Sequence, residues 1–304
     1  MIKFFSLLFV LNCLIYSQDD LSLNLDLGKE YFLYQHNEIS IIQLINNSKI
    51  RMYTEIDAKN TYKVIEKNGT SFLIEVTMGD AIFMMSSPYF HIYFDSNEKP
   101  TPDENLFIKM LRKLNGLKFN IEMAYNGTII STNFTEKITP EMFSLLGSQS
   151  IPNNDKALED INDKINQMSP EKNLVRITNF LPTNIVDIGD KWKTQGKIEF
   201  GIPIIYEREV TYKSKKDSTI VLESSSVIDT YQVPDPKNML ENTILNLKGK
   251  EEYNIILSSD SRWFQRLEGR TELSGTIYQK SEGNDTLSIP IEIKSFEYYG
   301  EKKY

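Results

Sequence analysis

Histidine and cysteine, two residue types that often ligate metals or carry out catalysis, are scarce in this 304-residue chain. Its two histidines are His36 and His91. A histidine-based metal site needs two or more converging donors, usually with carboxylates. His91 lies between Phe90 and Ile92 and is typical of an ordinary strand residue, whereas His36 is typical of a hairpin residue. Neither has an acidic partner at ligand spacing, so the sequence predicts no metal site and no cofactor.

Motifs for nucleophiles, phosphate and calcium are missing or incomplete. The segment Gly147–Ser150 lacks the second glycine of a nucleophile elbow, and it follows a helical pattern where an elbow follows a strand. No glycine-rich phosphate loop occurs. Asp95–Glu98 begins like a calcium loop, but Lys99 and Pro100 stand where an oxygen ligand and a glycine are required. That segment is more typical of a solvated acidic turn.

Two carboxylates on one strand could perform acid–base work. Glu207 and Glu209 lie on one face of a predicted strand, with Arg208 on the other. Like charges so placed can have separated pKa values, but a Glu-Arg-Glu strand is more typical of a solvated outer face. Trp263 could stack against a sugar, and burial in the sheet core is the favoured alternative. No catalytic residue is predicted, and we expect no enzyme.

Residues 1–17 have the composition of a targeting segment. Lys3 supplies positive charge, Phe4–Val10 is almost entirely apolar, and Ser17 is a small residue suited to cleavage. The apolar run is shorter than the roughly 20 residues that cross a bilayer. The sequence therefore predicts a signal peptide and an exported protein, in the periplasm, the outer envelope or the medium. Alternatively, Cys13, the only cysteine, is the lipidated residue of a lipoprotein signal.

Composition limits the partners. The net charge of −8 disfavours nucleic acid and anionic lipid as partners, since both need a basic face. The 16 tyrosines and 16 phenylalanines, against 14 glycines and 11 prolines, indicate an ordered chain rather than a disordered stalk. No stretch after the signal approaches transmembrane length. The remaining partners are an apolar ligand such as a lipid, or a protein of the envelope.

Alternation of apolar and polar residues dominates the chain and predicts half-buried antiparallel strands. Leu21–Leu27 alternates in this way, as does Leu287–Ile293. Asn68-Gly69 and Asn126-Gly127 are strong hairpin signals, because a type I′ turn needs positive φ at both central residues. Glu282–Asp285 is predicted to join the last two strands.

Helices are fewer. Thr101 is a predicted N-cap, Pro102 takes the first helical position, and Glu104 completes a capping box for a helix that ends at Gly116. Further predicted helices run from Thr139 to Gly147, across Leu158–Met168, from Ser169 to Pro182 and from Pro236 to Gly249.

The order of these signals recurs in the two halves, which indicates a duplication. The corresponding pairs are Gly28–Tyr31 with Gly189–Trp192, the helices from Pro102 and from Pro236, and Phe119–Ile121 with Tyr253–Ile255. Alternatively, two β-rich halves share the same turn signals by chance. The predicted divisions are a signal at 1–17, a sheet-helix-hairpin repeat at 18–138, a helical connector at 139–182 and a second repeat at 183–304. The predicted class is α+β and β-dominated, with curved antiparallel sheets covered by a few amphipathic helices.

The signal ending in Ser17-Gln18, the Gly-x-x-Tyr/Trp motif and the twofold sheet-helix-hairpin order resemble a family of exported Bacteroidota proteins of unknown function. The resemblance covers about Leu21 to Tyr298 and carries no catalytic residues. More distantly, curved sheets capped by helices resemble the LolA-like and LppX-like lipoprotein carriers. That likeness implies shelter for acyl chains but does not establish it.

One apolar side of a curved sheet must be packed or must hold something apolar. The sequence therefore favours an exported protein that binds an apolar or amphipathic ligand between helices and sheet. The residues predicted to line that site, unless they are simple core, are Phe107, Met110, Leu111, Met239 and Leu240. The alternatives are a structural or protein-interaction module at the cell surface and a secreted hydrolase with converging carboxylates.

Overall fold

The protein is β-dominated, which confirms the predicted α+β class. The computed structural model describes residues 18–45, 48–146, 170–199, 203–232, 243–280 and 286–304. The strands are β1 (Glu30–Ile45), β2 (Ser48–Lys67), β3 (Ser71–Ser87), β4 (Phe90–Asp95), β5 (Lys118–Ala124), β6 (Ile129–Thr132), β7 (Lys191–Glu199), β8 (Pro203–Lys216), β9 (Thr219–Gln232), β10 (Thr243–Ser258), β11 (Phe264–Lys280) and β12 (Thr286–Gly300). The helices of the described ranges are α1 (Leu106–Leu114), α2 (Phe134–Leu146) and α3 (Pro170–Thr178).

The described strands form one antiparallel sheet in the order β6-β5-β3-β2-β1-β12-β11-β10-β9-β8-β7, with β4 paired to the end of β3. The first and last strands of the chain pair in the middle, from Tyr34 opposite Gly300 to Gln43 opposite Ile291. The described sheet is open, since its end strands β6 and β7 do not pair with each other, and it is curved, since α3 and the residue after it contact both ends. Thr178 of α3 donates a hydrogen bond to Gly127 O beside β6 (3.0 Å), and Asn179 donates to Gln195 O in β7.

Alternation gives this sheet two faces. Along β9, Ile220, Leu222 and Ile228 are fully buried, whereas Glu223 and Val227 on the opposite face are exposed. The buried residues point to the concave face, toward α3, and their polar neighbours point to the convex face. This is the pattern expected of an antiparallel sheet with one covered side.

Two apolar clusters lie along the concave face. The larger one surrounds Trp263, which is completely buried, as expected from the sequence, and donates its indole N–H to Phe32 O at 3.2 Å. The smaller one joins Ile204 of β8, Leu247 of β10 and Ile291 of β12, among others. Between the clusters a row of buried polar residues crosses the sheet; we call it the polar belt. Its members are Gln35, Asn37, Asn60, Arg208, Ser224, Ser226, Glu251, Thr271 and Glu297.

Two helices begin elsewhere than predicted. Helix α1 begins at Leu106 because the N-cap is Asn105, whose side chain accepts from Ile108 N at 2.9 Å, and not Thr101. One of the two predicted capping-box contacts exists, since Thr101 N donates to Glu104 Oε1 at 3.2 Å, but Glu104 N donates to the backbone O of Thr101 at 3.3 Å and closes a turn before the helix. Helix α2 begins at Phe134, so Pro140 lies inside it rather than at its start.

The predicted helix from Pro236 to Gly249 is wrong over Thr243–Gly249, which belongs to β10. Leu245 and Leu247 are buried while Lys248 is exposed, a period of two, and β9 and β11 pair with this strand on both sides. Pairing on two sides outweighs a local start signal. Residues 236–242, with Met239 and Leu240, lie outside the described residues, as do the signal segment 1–17, Gly147–Ser150 and the predicted helix across Leu158–Met168.

The strand predicted over Leu21–Leu27 is also wrong, although its burial pattern is partly right. Leu21, Leu23 and Leu25 are buried in the larger cluster, whereas Leu27 is 64% exposed. The segment has no strand partner beyond an isolated bridge near its start, from Asp19 to Val186. These residues pack across the core as an irregular chain, which alternation alone does not distinguish from a strand.

The positions of both predicted hairpins are confirmed, but neither turn is of type I′, because Asn68, Gly69 and Asn126 do not have positive φ. Residue 69 lies between β2 and β3, where Asn68 Oδ1 accepts from Ser71 N at 2.7 Å, and Gly127 lies between β5 and β6 with a φ of 85°. Strands β11 and β12 pair up to Lys280 opposite Thr286, and the turn that joins them lies outside the described residues.

The two Gly-x-x-aromatic turns make the same contacts. Gly28 N donates to Val64 O and Gly189 N donates to Tyr212 O, at 2.8 Å and 2.7 Å. Both glycines have positive φ, 78° and 98°. The division into two repeats stays a prediction, and its pair of matching helices fails at β10.

Candidate functional site

A cavity of about 640 Å³ lies between the concave face and the helices. Its floor is formed by β1, β2 and β3, its sides by α1 and α3, and its far wall by β7 and β8. It falls within the range of about 300–1,000 Å³ that is usual for small-molecule sites.

One end of the cavity is apolar. Phe107 and Leu111 of α1 face Ile56 of β2 and Phe83 of β3 across this end. The rings of Phe83 and Phe107 meet edge to face, with centroids 5.3 Å apart. Helix α1 is fixed there by Arg112, which makes a bidentate contact to Glu104 (2.5–2.9 Å). The apolar end is therefore built on an anchored helix.

The other end is polar, because the cavity meets the polar belt under α3. Asn173 of α3 donates to Gln35 of β1 at 2.9 Å, and Asn37 donates to Tyr299 at 3.2 Å. Arg176 of α3 forms an ion pair with Glu297 of β12. Of the Arg176 side chain 29% stays exposed, and the residue lines the cavity.

A second ion pair lies in the far wall. Arg208 contacts Glu251 through Nε at 3.0 Å and Nη2 at 2.9 Å, and their side chains are 2% and 0% exposed. The hydroxyl of Tyr206 also donates to Glu251. The guanidinium lies 4.1 Å from the ring centre of Phe180, within cation–π range. This pair is rigid and already satisfied, so it shapes the wall rather than offering a free charge.

Burial dominates the electrostatics of this end. It raises the pKa of the Glu297 carboxyl above its ordinary value, although Arg176 acts in the opposite direction. Burial also raises the pKa of Tyr299 to about 12 and that of Tyr253 well above its ordinary value, so both phenols stay protonated. The polar end therefore presents neutral hydroxyls and amides around two compensated arginines.

Three polar atoms beside the cavity lack a hydrogen-bond partner among the described residues. They are Asn37 Oδ1, Glu171 Oε2 and Arg176 Nε, and all three residues line the cavity. Buried polar groups are nearly always paired, so such atoms call for an explanation. A ligand head group or water that reaches these atoms could satisfy them.

The predicted lining residues have different positions. Phe107 and Leu111 line the cavity, whereas Met110 packs against the larger apolar cluster. Met239 and Leu240 lie outside the described residues. Sequence reasoning missed Asn37, Arg176 and Arg208. Polar residues at inward positions of alternating strands, as at Gln35 and Asn37 between Leu33 and Ile39, were the available signal.

His36 lies in mid-strand and not in a hairpin turn, and it does have acidic partners. Its Nδ1 is 2.8 Å from Asp57 Oδ1 and its Nε2 is 3.2 Å from Glu38 Oε1. The first partner comes from strand pairing between β1 and β2, which spacing along the chain does not show. The second is two residues away, on the same face of β1.

The remaining motifs have simple structural roles. Glu207 is exposed and Glu209 is half-buried, and they pair with Lys193 and Lys191 while Arg208 points inward. This face is therefore solvated, as favoured by the sequence. Asp95 Oδ1 accepts from Asn97 N at 2.8 Å, within a turn.

Fold and site together define a β-dominated protein in which a single curved sheet and helices border an open, amphipathic cavity. The chain belongs to a family of unknown function, DUF6263, whose model matches residues 69–264. No curated protein matches the sequence. No helix among the described residues is long and apolar enough to span a membrane.

Solved structures give distant likenesses. A structure of lipovitellin concerned with lipid–protein interactions is 12% identical over 91% of this chain and 25% of that chain, with a TM-score of 0.48. An outer membrane channel from Pseudomonas putida F1 is 8% identical over 92% of this chain and 97% of that chain, with a TM-score of 0.19. The outer membrane protein OmpT of Vibrio cholerae is 10% identical over 90% and 100%, with a TM-score of 0.15. The chain thus spans a quarter of the lipovitellin chain, and none of these likenesses assigns a function.

Proposed function

We propose that this protein is a non-enzymatic, exported binding protein that holds one amphipathic molecule, such as a single-chain lipid, in the cavity. The main support for this proposal is a cavity of about 640 Å³ with an apolar end at α1 and a polar end at α3. Export rests on the predicted signal at 1–17. The distant resemblance to the LolA-like and LppX-like lipoprotein carriers, noted from the sequence, points to the same kind of ligand by fold analogy.

The apolar end supports this proposal energetically. Protein interiors are packed as densely as organic crystals, and an unfilled cavity forfeits contacts along its walls. An acyl chain packed against Phe107, Leu111 and Ile56 would restore those contacts and gain about 25 cal/mol for each Å² of apolar surface removed from water. The volume suits one chain rather than several, because small-molecule sites of this size bury one ligand.

The polar end supports an amphipathic ligand over a purely apolar one. A head group with both donors and acceptors could pair with Asn37 Oδ1 and Arg176 Nε, which lack partners among the described residues. A purely apolar molecule would leave these atoms unsatisfied and would add to their desolvation. A ligand with a chain at one end and a hydrogen-bonding head at the other fits both ends.

A second candidate is a protein-interaction module at the cell surface. Strand β4 pairs only with β3, so one of its edges is free within the described sheet. Tyr89, Phe90 and Tyr93 beside or on this strand are 77%, 41% and 45% exposed. Exposed aromatics at a free edge are typical of surfaces that bind another strand.

A displacement assay tests the proposed ligand. The protein is titrated with a fluorescent fatty-acid probe, and the same titration is made with Ala58→Phe, since Ala58 lies on the cavity floor. We expect saturable binding of one probe per protein, and a loss of at least tenfold in affinity for Ala58→Phe, because the ring occupies the ligand's space. A lysophospholipid should displace the probe.

The matched control is Val227→Phe, which adds a ring to a residue that is 85% exposed on the convex face. It should bind the probe as the wild type does. Equal binding by all three proteins would mean that the probe adheres to the surface, and absence of binding by the wild type would remove the cavity from the proposal. A strand-peptide partner captured at Tyr89 and Tyr93 would favour the second candidate.

A further inference from the structure

The convex face carries a second group of chemically active side chains, away from the cavity. Strands β1 and β2 place His36 directly opposite Asp57, and Glu38 directly opposite Glu55. All four side chains lie on the same face, because positions two apart on a strand share a face. We call them the convex-face cluster.

The convex-face cluster is unusual in its charge. Glu38 and Glu55 are like charges directly opposite each other, an arrangement that destabilises a sheet. Within the described part of the chain, no lysine or arginine forms an ion pair with Glu38, Glu55 or Asp57. Burial, together with the charges of Glu38 and Glu55, raises the pKa of the nearby Tyr53 phenol. These three carboxylates therefore have no ion-pair partner among the lysines and arginines of the described residues, and a bound cation would compensate their charge.

The positions of the donor atoms fit a metal ion. One donor atom each from His36, Glu55 and Asp57 lie within 4.8 Å of one another. Ligands around a tetrahedral Zn²⁺ lie about 3.3 Å apart, since each bond measures about 2.0–2.1 Å. Small rotations of the two carboxylates therefore suffice to bring all three donors onto one ion.

The residues around His36 also suit a metal-bound histidine. A metal-bound histidine usually donates its other ring N–H to a carboxylate, which fixes the ring. Glu38 Oε1 lies 3.2 Å from Nε2 in that role, which leaves Nδ1 for the metal beside Asp57. The ring is stacked on Tyr304 with centroids 5.0 Å apart, and Phe296 packs at 6.0 Å. These rings shield one side of the site, and Asp57 is 27% exposed on the other.

We propose that His36 Nδ1, Asp57 and Glu55 bind a divalent transition-metal cation of the Zn²⁺ class, with Glu38 as the residue that positions the imidazole. The imidazole favours Zn²⁺, Cu²⁺ or Ni²⁺ over Mg²⁺ and Ca²⁺, which prefer ligand sets made of oxygen alone. Three protein ligands leave a fourth position for water or for a ligand from a partner. This site is independent of the proposed cavity function.

Isothermal titration calorimetry with ZnCl₂ on the full-length protein tests the proposal, with His36→Ala and Asp57→Asn as variants. We expect one Zn²⁺ per wild-type chain, and a loss of at least 100-fold in affinity in either variant. Glu38→Gln should bind about 10- to 100-fold more weakly, since positioning partners typically contribute that much. The matched control is His91→Ala, which removes the other, exposed histidine and should leave binding unchanged. Circular dichroism confirms that each variant is folded.

Two further measurements separate a specific site from general attraction. Co²⁺ bound at the site should give visible absorption bands typical of low coordination number, and these should be absent in His36→Ala. Mg²⁺ at the same concentration should not compete. Absence of Zn²⁺ binding by the wild type, equal loss in His91→Ala, or full binding by folded His36→Ala would each overturn the proposal.

Discussion

Removal of Arg208 should destabilise the protein strongly, because it leaves the buried carboxylate of Glu251 without its charge partner. Both side chains are almost fully buried, at 2% and 0% exposure, and are joined by two contacts of 2.9–3.0 Å. Breaking a buried pair by removing one partner typically costs about 3–5 kcal/mol. In Arg208→Met only the Tyr206 hydroxyl remains to donate to Glu251, so we expect a loss of about 4 kcal/mol on that basis.

The double variant Arg208→Met with Glu251→Gln should recover a large part of this loss. It removes the unpaired charge and keeps an acceptor for Tyr206, and replacement of a whole buried pair is often close to neutral. Urea unfolding of the wild type, both single variants and the double variant gives the coupling between the two residues. We expect a coupling of about 2–3 kcal/mol, within the range known for contacting residues.

The matched control is Lys193→Met, which breaks the pair between Lys193 of β7 and Glu207 of β8 on the convex face, next to Arg208 in the chain. Both of these side chains are 65% exposed, so the change in unfolding free energy should be far smaller. A loss in Arg208→Met below about 1 kcal/mol, or no larger than in the control, would refute the role assigned to the buried pair.

Three further predictions concern titration and packing. Burial raises the pKa of Glu297, so the stability that this residue contributes should be full below its ordinary pKa of 4.5 and be lost as the pH rises through the pKa of the folded protein. The urea midpoint of Glu297→Gln should therefore vary less between about pH 4 and pH 7 than that of the wild type. An equal pH dependence of the two midpoints would contradict this. Burial acts to raise the pKa of Asp19, but hydrogen bonds from Lys215 and Tyr212 outweigh it and hold that pKa below 3.8. Stability from Asp19 should thus be present above about pH 4 and be lost as the pH falls, and Asp19→Asn should lose most at neutral pH; an equal loss at acid pH would be inconsistent. Gly269→Ala should lower the thermal midpoint, at a cost of about 1–3 kcal/mol, because its Cβ would lie 1.9 Å from the Tyr253 ring, and an unchanged midpoint would contradict this packing.

Local signals in the sequence were sufficient for much of the sheet. Asn68-Gly69 and Asn126-Gly127 mark two hairpins, since turn chemistry depends on adjacent residues. Alternation along Leu287–Ile293 correctly indicated the last strand, and Trp263 is buried as favoured. Such features are decided within a few residues.

Features that depend on pairing across the chain were not accessible from those signals. Thr243–Gly249 follows a helix start signal, yet it is held as a strand by neighbours on both sides. Glu251 meets Arg208 only because the strand register places them on one face, and His36 meets Asp57 for the same reason. The polar end of the cavity arises from these pairings, so a search for short motifs does not find it.

Native mass spectrometry of the protein purified from its own cells tests most directly whether the cavity holds a natural ligand. We expect a mass equal to that of one chain plus one amphipathic molecule, released when the protein is denatured and absent from Ala58→Phe. A bare chain mass for the wild type under gentle conditions, or an adduct that Ala58→Phe retains, would contradict binding in the cavity between α1, α3 and the sheet.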